Sequence, residues 1–152
     1  MGKIILLSAV ATLGIVFQNT IKTHAWIFYL LMVAYFLLVK EQKDLKKLIA
    51  GFSLGLLLSI GIWELTGVLM KWTGSLGVGM SIATFIGIML VLLLEKIPFF
   101  NMPSAFFIGL IAYYGLAQPP SFIVVGEILT PALLGLCTAF LMVKIERLKQ
   151  VT

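Results

Sequence analysis

"LIAGFSLGLLLSIGIWELTGVLM", residues 48–70, decides the fold class. Its one ionisable side chain, Glu64, lies well inside an otherwise uncharged run. A helix of about 20 such residues crosses the hydrocarbon of a bilayer, so the run reads as a transmembrane helix. Working outward from it, five further apolar segments stand at residues 4–18, 25–39, 76–94, 103–117 and 122–143. The chain of 152 residues is 61% hydrophobic and 11% charged, with a mean hydropathy of +1.14. A soluble domain carries about 25% charged residues, and a chain this short leaves too much surface in water to hide so many apolar side chains. The expected class is an all-α, polytopic integral membrane protein, a single transmembrane domain over residues 1–152 with about six spanning helices and the lipid bilayer as its solvent.

The breaks between segments set the topology. "KEQKDLKK", residues 40–47, reads as the clearest polar loop, and prolines interrupt "EKIPFFNMP" and "QPPS". Segment 103–117 is short and bounded by Pro103 and Pro119-Pro120. It reads as a short span or as a re-entrant hairpin, the latter tolerated only where protein or water covers its backbone. Lys and Arg collect on the cytoplasmic side of membrane proteins. With six spans and a cytoplasmic N-terminus, that side holds Lys3, Lys40, Lys43, Lys46, Lys47, Lys96, Lys144, Arg147 and Lys149, leaving Lys22 and Lys71 outside. A re-entrant fifth segment would move the basic tail "KIERLKQ" outside, so the asymmetry favours an even number of spans with both termini cytoplasmic.

Several function classes find no support. The net charge of +5 resides in short loops and forms no basic face, so nucleic acid is not an expected partner. There is no Gly-rich phosphate loop, no paired Cys or His motif and no nucleophile–base spacing. No enzymatic activity, cofactor or metal is therefore expected. His24 is the single histidine and flanks the second segment; Cys137 has no partner for an intrachain disulfide and reads as a small packing residue. Trp26, Trp72 and Tyr113-Tyr114 fit interfacial aromatic belts. The start "MGKIILLSAVATLGIVF" lacks a following small-x-small cleavage site and reads as a retained first helix. Leu6 also departs from the N-terminal acylation pattern.

Candidate functional residues follow from cost. Gly51, Gly55, Ser59, Trp63 and Gly67 recur every four residues and share one helix face. Small residues at this spacing let another helix approach closely; Trp63 interrupts the row as packing or as a site-lining residue. Glu64 lies beside it, and Glu127 lies a similar distance inside the outer end of the sixth segment, each with a threonine nearby, Thr66 and Thr130. An ionised acid at the bilayer centre costs about 2.5–3.5 kcal/mol, less near the interface. Three readings fit: an outward vestibule for cations or polar solutes, a pair sharing a proton, or side chains that snorkel or pair with Lys22, Lys71 or His24. Pro131 removes a backbone donor within the sixth segment and kinks or breaks it; broken helices line solute and ion sites.

Three stretches, "AYFLLVKEQKDLKKLIAGFSLGLLLSIGIW" (34–63), "MPSAFFIGLIAYYG" (102–115) and "LTPALLGLCTAFLM" (129–142), carry a family resemblance. At Tyr35, Phe36, Trp63, Pro103, Phe107, Ile108, Gly109 and Pro131 the chain resembles the bacterial inner-membrane proteins grouped as domain of unknown function 1097. The resemblance implies a membrane fold in the bacterial inner membrane. It assigns no activity, and Glu64 and Glu127 lie outside its pattern.

The expected function is an oligomeric channel or passive transporter for a small solute or ion. Its pathway would be lined by Glu64, Glu127, Trp63, Thr66, Thr130 and Pro131, and its helix-packing or subunit face by Gly51, Gly55, Ser59 and Gly67. The alternative is a non-transporting accessory or regulatory subunit, whose basic loop and tail bind a protein partner or anionic lipid at about 1 kcal/mol per Lys or Arg.

Overall fold

A computed structural model of the protein describes residues 2–20 and 24–148, with side chains at 7–17, 20 and 24–146. Of the orientation charges, Lys3, Lys22, Arg147 and Lys149 lie outside the side chains so described. The described residues form α1 (Gly2–Thr20), α2 (Ala25–Leu38), α3 (Gln42–Thr73), α4 (Leu76–Leu94), α5 (Pro103–Tyr114) and α6 (Phe122–Leu148), with no strand among them. By length and composition, α3, α4 and residues Phe122–Glu146 of α6 are each apolar enough to cross a membrane. Shorter apolar helices cover Leu7–Phe17, Ala25–Leu38 and Pro103–Tyr114.

The polar stretch 40–47 is not a loop beyond its first two residues. The helix starts at Gln42, because Glu41 and Asp44 form a reciprocal capping box. The Glu41 backbone N–H donates to Asp44 Oδ2 at 3.0 Å. Such a box satisfies two of the orphan donors at a helix start, and Asp44 also complements the positive end of the helix dipole. Lys47 Nζ then donates to Asn101 Oδ1 at 2.6 Å, tying the first turns of α3 to the segment before α5. At the other end of α3, Gly74 takes φ +69° and its N–H caps Met70 O at 2.9 Å. Ser75 then starts α4, so α3 and α4 form a hairpin with a two-residue turn, Gly74-Ser75.

The chain divides into two compact units, one of Met1–Lys40 with Gly126–Thr152 and one of Glu41–Val125. The second unit is built around α3. Gly51 and Gly55 sit where α5 crosses: a β-carbon at Gly55 would meet the Phe106 carbonyl oxygen, and one at Gly109 the Phe52 carbonyl oxygen. This is the close backbone approach that small residues permit in membranes. Helix α4 packs on α3 through its own small-residue row, with Gly79, Ala83, Gly87 and Val91 buried. A β-carbon at Gly87 would meet Ile62 Cδ1, and one at Gly79 the Met70 nitrogen at 3.0 Å.

In the first unit, α2 buries Ile27, Phe28, Leu31, Ala34 and Tyr35. Gly135 of α6 lies against the Phe28 carbonyl oxygen, and a β-carbon at Gly14 of α1 would meet Thr138 Oγ1 at 2.7 Å. Helix α6 is continuous through Pro131, so the expected break that would expose carbonyls is not there. Proline removes one bond of the helical ladder, that to the carbonyl four residues earlier, and Glu127 holds that position. Cys137, expected to pack, lies on the exposed face of α6.

Candidate functional site

The candidate pathway residues fall into the two units separately. Glu64, Trp63, Thr66 and Gly67 belong to the second unit, and Glu127, Thr130 and Pro131 to the first. On α3, the buried positions recur at helical spacing through Gly55, Ser59, Ile62 and Thr66. Residue 64 is 100° × 2 from residue 62 at about 3.6 residues per turn, and Glu64 accordingly lies on the exposed side. It makes no hydrogen bond or ion pair among the described residues.

The four-residue row splits in the same way. Gly51, Gly55 and Ser59 are buried, whereas Gly67 has open space where a β-carbon would stand and Trp63 is 38% exposed. The hydroxyls on α3 are turned onto their own helix: Ser59 Oγ donates to Gly55 O at 2.9 Å and Thr66 Oγ1 to Ile62 O at 2.7 Å. This local bonding is how Ser and Thr satisfy themselves within apolar surroundings.

Near the hairpin turn, α3, α4 and α5 leave a cavity of about 260 Å³. Trp63, Thr66, Gly67 and Met70 line it from α3, Leu76 and Met80 from α4, and Tyr114 from α5. The hydroxyls of Tyr113 and Tyr114 are buried with no hydrogen-bond partner. Tyr113 is 1% exposed, while Trp72 at the hairpin end is 84% exposed. Sequence reasoning missed the cavity because its walls come from three helices, and only the α3 part has a visible spacing.

In the first unit, Glu127 meets His24, the residue preceding α2, with Oε2 3.5 Å from Nε2. This is one of the pairings left open for the acids in the sequence, that of Glu127 with His24. Both side chains are more than a third exposed, and pairs of that kind contribute about 0–1 kcal/mol. The contact orients two polar groups more than it stabilises the fold. Thr130 Oγ1 donates to Gly126 O at 2.9 Å, and Pro131 is buried in α6. Among the described residues there is no group of three or more His, Cys, Asp or Glu placed to hold a metal ion.

The family model described as "Protein of unknown function (DUF1097)" matches residues 3–144. No curated protein and no solved structure gives a significant match.

Proposed function

We propose that this chain, which belongs to the DUF1097 family, is a homo-oligomeric channel or passive transporter for a small cation or polar solute. In this reading it crosses the bacterial inner membrane six times with both termini in the cytoplasm, and the basic residues at Lys40, Lys43, Lys46, Lys47, Lys96 and Lys144 face inward. The positive-inside asymmetry supports that orientation.

The observation that carries the reading is the exposed carboxylate of Glu64, unpaired among the described residues, on a helix long enough to span. Counting from Leu48, Glu64 is about 24 Å along the helix at about 1.5 Å per residue. A hydrocarbon core of about 30 Å then places it in the outer leaflet, about one turn from the edge. An ionised acid there needs water or a neighbouring subunit beside it. A water-lined vestibule shared between copies supplies both, attracts cations, and gives six thin helices an outer wall. Trp63, adjacent and part-exposed, narrows the entrance.

The test is flux into proteoliposomes. Purified protein should pass rubidium ions, and Glu64→Gln should slow the flux about fivefold, taking about 1 kcal/mol as the effect of one charge at about 4 Å in water. Vesicles that stay tight, or flux indifferent to Glu64→Gln, would overturn the reading and point to an accessory subunit.

A further inference from the structure

His24 and Glu127 stand too far apart for a good hydrogen bond. Their Nε2 and Oε2 atoms are 3.5 Å apart, whereas N–H···O bonds form at about 2.7–3.2 Å. The surface pair Lys43–Glu41, by contrast, closes to 2.9 Å, the usual length of a charge-assisted bond, about 2.7–2.9 Å. A separation of 3.5 Å suits a shared metal ion. Zinc takes imidazole nitrogen at about 2.0–2.1 Å and carboxylate oxygen at about 2.0–2.2 Å, in a tetrahedron. Two such ligands lie about 3.3–3.5 Å from each other, so the two atoms occupy neighbouring corners of a zinc tetrahedron.

The backbones that carry them are fixed. Ile27 N–H donates to His24 O at 3.0 Å, which fastens His24 to the first turn of α2. Ile27 and Phe28 of that turn are fully buried, as is Ile128 beside Glu127 on α6. Gly135 of α6 lies against the Phe28 carbonyl oxygen, so α2 and α6 touch backbone to backbone within one compact unit. Ligands held on rigid elements need little reorganisation to bind. Both side chains are more than a third exposed, which leaves the other two corners to water. The ligand set also selects the ion. Magnesium and calcium take oxygen ligands, and a square-planar copper site draws adjacent ligands closer together than a tetrahedral one.

We propose that His24 Nε2 and Glu127 Oε2 bind one zinc ion, with water completing the tetrahedron and the metal tying the start of α2 to α6. Zinc occupies the Nε2 lone pair, and any proton held there leaves to solvent. The site is independent of the transport reading: Glu64 lies in the other unit, and binding is measured without flux. The sequence hid it because the two residues are 103 positions apart.

The experiment uses the purified full chain in detergent, free of any histidine tag, with Cys137→Ser removing the one thiol. Zinc chloride is the probe and equilibrium dialysis the readout. Binding should reach a plateau at one zinc per chain, even in excess magnesium. His24→Gln and Glu127→Gln should each weaken it by about tenfold or more, since loss of an outer-shell partner alone costs about 10–100-fold. Glu95→Gln should leave it unchanged. Diethyl pyrocarbonate, which acylates a free imidazole nitrogen, gives a second readout, because His24 is the single histidine. Saturating zinc should block that acylation, followed by mass spectrometry, and magnesium should not. Binding without a plateau, affinity indifferent to either ligand substitution, equal loss in Glu95→Gln, or displacement by magnesium would overturn the proposal. If a ligand variant fails to fold, acylation of His24 undiminished by zinc overturns it alone.

Discussion

A β-carbon at residue 55 has nowhere to go, whereas one at residue 61 has open space on every side. The two glycines lie on the same helix and differ only in which face they occupy. Gly55→Ala should therefore destabilise the fold by about 1–3 kcal/mol, the usual cost of forcing extra volume into a packed contact. Gly61→Ala should stabilise it by about 0.5–1 kcal/mol, since alanine loses less backbone freedom in a helix. Melting of the two variants in detergent, followed by circular dichroism, checks the opposite signs. The four-residue spacing made the row legible in the sequence. Its division into a packed half and an open half was not legible, because that depends on where α5 crosses. The row Gly79, Ala83, Gly87 on α4 carried the same signal and went unread. Spacing alone could also not decide that Glu127 would meet His24.

Among the elements, α4 was the most legible: its uninterrupted apolar run, 76–94, became Leu76–Leu94, with Ser75 as its N-cap. The start of α3 was misread because a run of charges suggests a loop. The Glu41-x-x-Asp44 spacing was the available signal for a capped helix, and charges on a first turn remain solvated whether or not they are helical. Past the end of α5, the chain turns through Ala117 at φ +51°. An L-residue in that left-handed region is strained by roughly 1–2 kcal/mol, and glycine offsets part of this with its greater freedom when unfolded. Ala117→Gly should raise stability by about 1 kcal/mol, seen as a higher melting temperature in the same detergent assay. No change, or a decrease, would mean that the turn is not held in this conformation.

At the scale of the whole molecule, hydropathy alone sufficed to anticipate a helical chain in which three of the described helices are long and apolar enough to cross a membrane. Which segments pack together was not legible, because apolar helices share the same side chains on every face. The proposed orientation has a direct test. In a Cys137→Ser background, Lys71→Cys should react with a membrane-impermeant maleimide added to spheroplasts. Lys96→Cys should react only after lysis. The reverse pattern would invert the topology, and labelling of both from outside would remove the fourth span.

Unit two also pairs helices of very different height. Helix α5 has 12 residues and packs against α3 with 32, about 18 Å against about 48 Å at about 1.5 Å per residue. In the proposed six-span topology, lipid beside α5 must compress by roughly 10 Å relative to an average bilayer, at a fraction of a kcal/mol for each ångström. Two copies sharing one dimple disturb less lipid than two apart. The bilayer's own elasticity would then draw copies together, more strongly among long acyl chains than among short ones.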